Sequence, residues 1–233
     1  MALTPTDNEA FLREVDENLR RDQMTGLARK WGRVAGAALV ILLLALAAFL
    51  WWRHHRAEQA GLEGEQLVQV LTDIEIGRAL PTDPRLATLA GSPRDGYRAM
   101  ARLTQAGIIA KTDPVAAAAS YQEIAKDDGL PQAIRDLALI RATTIQFDTT
   151  PPAEVVARMK PLAISGGPWF GSAGELAGMA YLKMKRRDLA APLFAAIARD
   201  NAVPAGLRGR AAGMATALGQ SVGVITPAGA VKE

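Results

Sequence analysis

The sequence predicts an all-α chain: one membrane-spanning helix followed by a solenoid of paired helices. Three observations lead there. A run of 19 residues without a charge, Val34 to Trp52, lies between clusters of Arg and Lys. Beyond it, proline repeatedly stands at the start of stretches with helical apolar periodicity. No segment alternates convincingly as a strand over more than four residues. The 233 residues are 49% hydrophobic and 22% charged, which supplies a packed core and argues against whole-chain disorder.

Residues 1–33 form a short arm. Thr6-Asp7-Asn8-Glu9 has the pattern of a capping box opening a helix. Phe11, Val15 and Leu19 then fall at i, i+4 and i+8, with Leu12 beside them. This narrow apolar stripe sits among six basic and six acidic residues. Such an amphipathic helix either rests on a membrane surface or docks on a membrane partner, and the balanced charge argues against strong binding to anionic lipid.

Residues 34–52 (VAGAALVILLLALAAFLWW) read as a transmembrane helix. At about 1.5 Å per residue the run is roughly 28 Å long, close to the hydrocarbon thickness of a bilayer. Trp31 and Arg33 on one side, and Trp51, Trp52 and Arg53 on the other, are the expected interface anchors. A buried core helix is rarely this apolar between two charge clusters, and a cleaved signal peptide does not carry a 33-residue charged region. Arg20, Arg21, Arg29, Lys30 and Arg33 precede the run closely, whereas only Arg53 and Arg56 follow it closely. That asymmetry predicts a cytoplasmic N-terminus and a C-terminal domain on the far side.

Residues 53–92 read as a neck and linker. Ala57 to Ala79 is a helix in which Leu67, Val70, Leu71 and Ile74 repeat at i, i+3, i+4 and i+7. It either continues the membrane helix or packs on the domain as its first helix. Leu80-Pro81-Thr82-Asp83-Pro84 follows as a proline-rich link. From residue 93 to 219 the expected helices are about 93–111, 114–127, 131–147, 151–164, 171–185, 188–200 and 204–219. Most open at a proline, and Ser172-Ala173-Gly174-Glu175 is a further capping box. Residues 220–233, with Gly223, Pro227 and Gly229, read as a disordered tail.

Shifting the chain by 73 residues aligns 121–145 with 194–218, and eight of those 25 positions are identical. They include Ile124/Ile197, Asp127/Asp200, Pro131/Pro204, Arg135/Arg208, Ala138/Ala211 and Ala142/Ala215. Seventy-three residues hold two helix pairs of roughly 36 each, near the ~34 of a tetratricopeptide repeat. The best single unit runs from Gly171 to Asp200. Gly178, Tyr181, Ala190 and Phe194 fall at the spacings of that repeat's small, aromatic, Ala and aromatic positions. The earlier unit keeps Ala117 and Tyr121 but has Gln105 and Ile108, so the repeats are degenerate. The fold is thus a tetratricopeptide-like α-solenoid of three helix pairs, with a final helix over 204–218 as its cap.

The order of parts is specific: an arm carrying FLREVDENLRRDQM, one membrane helix ending in WW, a helical neck, then degenerate repeats. Over residues 8–219 this resembles the YfgM-like family, ancillary subunits of the SecYEG translocon with a tetratricopeptide repeat-like domain. The resemblance implies a single-pass protein of the bacterial inner membrane whose repeats lie in the periplasm. It implies action beside the translocon and a membrane-anchored prolyl-isomerase-like chaperone, PpiD, helping exported chains. The chain departs from the family in its Ala-rich repeats and few aromatics.

The residues argue for binding rather than catalysis. There is no Cys, and the two His are adjacent, His54 and His55. Disulfides, thiol nucleophiles and Ser-His-Asp sites within the repeats are excluded. Neighbouring His on a helix point about 100° apart and make poor joint metal ligands, so they read as interfacial polar anchors. Ile164–Glu175 (ISGGPWFGSAGE) is Gly-rich but lacks a phosphate-loop Lys. It reads as a loop whose Trp169 and Phe170 pack on the next helix. Residues 57–233 hold 19 basic and 18 acidic residues, giving no pull on nucleic acid. The basic cluster at 183–187 reads as a solvated turn. No catalytic residue, cofactor or metal is expected.

What remains is binding by shape, on a concave surface lined by the first helix of each pair. The expected groove residues are Arg98, Arg102, Arg135, Arg141 and Lys183. The expected partners are the bilayer and other proteins, with an assembly scaffold of another envelope or respiratory complex as the alternative role.

Overall fold

The computed structural model describes residues 5–221, with side chains described from Val34 onward. All regular structure among these residues is helical: α1 (Pro5–Glu75), α2 (Pro84–Ala90), α3 (Asp95–Ile109), α4 (Pro114–Lys126), α5 (Gln132–Ile145), α6 (Pro152–Met159), α7 (Phe170–Lys183), α8 (Arg187–Arg199) and α9 (Ala205–Ala217). Two compact units divide between Leu62 and Glu63.

The first unit is the long arm of α1. The backbone is already helical at Pro5, so Thr6 lies inside the helix rather than capping it. The side chains of Phe11, Val15, Leu19, Trp31 and Arg33 lie outside the described residues. Among the described residues, one stretch is long and apolar enough to cross a membrane, and it begins at Val34. Its large side chains are bare, Ile41 at 67% and Trp51 at 70% exposure. At its end, Trp51 stacks on His55 with centroids 5.8 Å apart, and the Arg56 guanidinium lies 4.2 Å from the centroid of Trp52.

The second unit begins within α1 itself. Residues 63–75 of α1 supply the first core of this unit. Val70 is fully buried with Leu86 and Leu89 of α2 and Ala101 and Ile108 of α3. Of the two alternatives expected for the neck, packing as the first helix of the domain describes residues 63–75. The helix ends at Glu75, four residues before the expected Ala79, because Gly77 turns left-handed at φ 73 and the amide of Arg78 donates back to Asp73 O at 2.7 Å.

The link after it is shorter than expected, since α2 is a real helix. Asp83 caps it by accepting from the Arg85 amide at 2.9 Å, and Pro84 takes the first turn. The Arg85 guanidinium ties Asp83 to Asp73 of α1, at 2.6 and 2.5 Å.

Each later core joins consecutive helices. Ala99, Ala106, Tyr121, Ile124, Ala138 and Ala142 join α3, α4 and α5. Ile140, Val155, Met159, Ala173 and Ala177 join α5, α6 and α7. Phe170, Ala190, Phe194, Ile197, Ala211 and Ala215 join α7, α8 and α9. Such near-neighbour burial is the packing of a solenoid.

The 73-residue repeat recurs in space. Asp127 and Asp200 end α4 and α8 with nearly the same backbone angles, and Pro131 and Pro204 precede α5 and α9 at ψ 140 in both. Each Asp accepts the amide two residues on, Gly129 at 3.0 Å and Ala202 at 2.9 Å. The capping box expected at Ser172 is absent. Helix α7 starts two residues earlier, at Phe170, whose ring is drawn into the α7–α8–α9 core, while Trp169 packs on the α5–α6–α7 core.

Candidate functional site

Two faces of α7 do different work. Gly171, Gly174 and Gly178 stand three and four residues apart and so share a face. A Cβ on Gly174 would lie 2.8 Å from Ile197 Cδ1, and one on Gly178 would lie 2.7 Å from Phe194 Cζ. Their missing side chains let α8 approach and seat the Phe194 ring against the α7 backbone. Rotated from that face are Glu175, Leu176 and Met179, which line an open groove of about 600 Å³. The end of α5 and the turn after it add Thr144, Phe147 and Asp148. Helix α9 adds Gly209, Arg210, Gly213 and Met214, and Phe194 also lines the groove.

The groove is apolar between two charged rims. On one rim, Arg210 donates from Nε and Nη2 to the two oxygens of Glu175 at 2.8 and 2.9 Å, and this carboxylate holds the guanidinium above its usual pKa range. On the other, Lys183 Nζ meets Asp148 at 2.7 Å and lies 4.4 Å from the Phe147 ring centroid.

None of the five basic residues expected in a groove lines this one, though Lys183 reaches its edge by pairing with the lining residue Asp148. Arg98 bonds Asp95 at 2.7 Å and the carbonyl of Gly129 at 3.1 Å. Arg102 pairs with Asp127 and holds that carboxyl below its usual range, helped by the Gly129 amide. Arg135 pairs with Asp128. These three staple the loop between α4 and α5, and Arg141 is exposed on α5, with its charge felt by Tyr121. Basic residues on first helices are a poor guide to the groove, because two carboxylates and a carbonyl of the adjoining loop engage three of them. The residues that do line it carried a signal in the repeat spacing. Phe194 stands at the repeat's second aromatic position, and Glu175 and Met179 each follow one of the packed glycines, Gly174 and Gly178, by one residue.

Among the described residues, no group of three His, Cys, Asp or Glu side chains could hold a metal ion. The expected far-side anchors Trp51, Trp52 and Arg53 stand exposed at the end of the apolar stretch.

The chain matches the family model described as a tetratricopeptide repeat-like domain over residues 28–201, well over half its length. No curated protein and no solved structure matches it. The match takes in the apolar segment of α1 together with the first three helix pairs. The serial cores, the paired helices and this match give one conclusion: the chain belongs to the tetratricopeptide repeat-like domain family.

Proposed function

We propose that this protein is a membrane-anchored, non-enzymatic interaction module of the YfgM type. Its N-terminus lies in the cytoplasm, residues 34–52 span the bacterial inner membrane, and its repeats stand in the periplasm. There the groove on α5, α7 and α9 holds partner proteins or emerging exported chains beside the SecYEG translocon and a PpiD-like chaperone. The observation that carries the reading is an open apolar groove on the first helices of a solenoid whose chain also bears a bare, uncharged 19-residue helical run. Binding by shape is what tetratricopeptide-like domains offer, and a membrane tether raises local concentration so that weak contacts suffice.

Three measurements test it. The protein is expected to stay with membranes in alkaline carbonate, and a reporter fused to its C-terminus is expected to be active only outside the cytoplasm. Purification in mild detergent followed by mass spectrometry is expected to recover translocon subunits. Recovery of another envelope or respiratory complex instead would replace this role with that of an assembly scaffold.

A further inference from the structure

Resting on the groove reading above, we infer that the groove takes an uncharged apolar segment of a partner chain rather than an acidic or a basic peptide. The charges at its rims are already matched. Arg210 holds Glu175 through two bonds of 2.8 and 2.9 Å, and Asp148 holds Lys183 at 2.7 Å. A peptide carboxylate that joined Arg210 or Lys183 would lie beside Glu175 or Asp148, and a peptide cation that joined either carboxylate would lie beside Arg210 or Lys183. The like charge next to each new pair offsets a gain that is already small in a wet setting.

Apolar side chains face no such competition. Phe147, Leu176, Met179, Phe194 and Met214 line the space between the rims, with Phe194 fully buried and Met179 37% exposed. The volume, about 600 Å³, falls within the roughly 300–1,000 Å³ of clefts that enclose compact ligands, which suits a short stretch of chain. Two of the five apolar liners are methionines, whose unbranched, polarisable side chains repack around different shapes. The groove therefore selects for apolar content and neutrality more than for one sequence.

The test uses the full chain in nanodiscs of zwitterionic lipid, with empty nanodiscs as the blank. Three labelled peptides of equal length are titrated by fluorescence anisotropy: a neutral one with Leu and Phe spaced by Ser, an acidic one and a basic one. The neutral peptide is expected to bind at least about tenfold tighter than either charged one, with an affinity that changes less than about twofold between low and high salt. Met179→Gln or Met214→Gln is expected to weaken it about five- to tenfold. The helical signal and melting temperature of each variant check that it folds. Tighter, salt-sensitive binding of a charged peptide that Met179→Gln also weakens would overturn the inference and leave the groove as the binding site. If neither Gln variant weakens any peptide, the groove reading falls with it.

Discussion

Gly178 lies on the first helix of the last pair and Gly209 on the capping helix α9, and a methyl group would fare oppositely at the two. At Gly178 it would meet the buried Phe194 ring at 2.7, 2.9 and 3.1 Å, and an aromatic ring locked in a core yields little. At Gly209 it would meet nothing within 4 Å. Gly178→Ala is therefore expected to destabilise by about 1–3 kcal/mol. Gly209→Ala is expected to stabilise by about 0.5–1 kcal/mol, because glycine in an open helix only adds backbone entropy to the unfolded chain. Thermal melts followed by helical circular dichroism separate the two, and equal shifts of one sign would refute the account. The contrast has a wider pattern. Gly171, Gly174 and Gly178 reappear 35 residues later as Gly206, Gly209 and Gly213. The first three are packed under α8 and α9, whereas the second three have nothing near them because no helix pair follows α9 among the described residues.

The loop joining α4 to α5 and the one joining α8 to α9 are the same device at two places. A carboxylate at the helix end accepts the amide two residues on, and a proline then sets the next helix. Only the first copy adds an Arg on Asp127, which depresses that carboxyl through its hydrogen bond with Arg102. A carboxyl lowered by folding stabilises the fold above its unfolded value, near 3.8, and loses that contribution as pH falls through the folded value. Asp127→Asn keeps an acceptor for the Gly129 amide while removing the charge. The melting temperature of the parent is thus expected to exceed that of the variant at neutral pH, with the gap closing below about pH 4. A gap that does not change with pH would mean that Arg102 does not supply it. Helix α2 teaches the complementary lesson. Asp83-Pro84 has the same opening signature as Asp113-Pro114, yet the helix it opens has only seven residues before Gly91, and so short an apolar stretch reads as a link. Its buried Leu86 and Leu89 gain their value from α1 and α3, which local sequence does not contain.

At the scale of the molecule, the sequence placed the start of the repeat domain at residue 93, whereas the compact unit starts at Glu63. The difference is physical. Val70, Leu86 and Leu89 form one core with Ala101 and Ile108, so removing residues 63–92 strips three large buried side chains from it. At about 1.5 kcal/mol or more each, that is a loss of roughly 5 kcal/mol, comparable to the whole stability of many domains. A fragment of residues 63–221 is expected to melt cooperatively. A fragment of residues 93–221 is expected to melt at a markedly lower temperature or to aggregate. Equal melting of the two would return the boundary to residue 93.

The sequence by itself determined that the repeats are helical and where most of their proline-opened helices begin, that one uncharged run suits a bilayer, and that two segments 73 residues apart share a plan. These are local signals, written in the spacing of neighbouring residues, so they survive without coordinates. Only the tertiary structure decided which face becomes the groove and which charges are engaged there. Glu175 meets Arg210 and Lys183 meets Asp148 across 35 residues of chain in each case. Arg98, Arg102 and Arg135 look equally available in one dimension, yet they pair with the loop between α4 and α5. Charge and apolar surface act over a few ångströms of space, and the fold alone fixes which distant residues come that close.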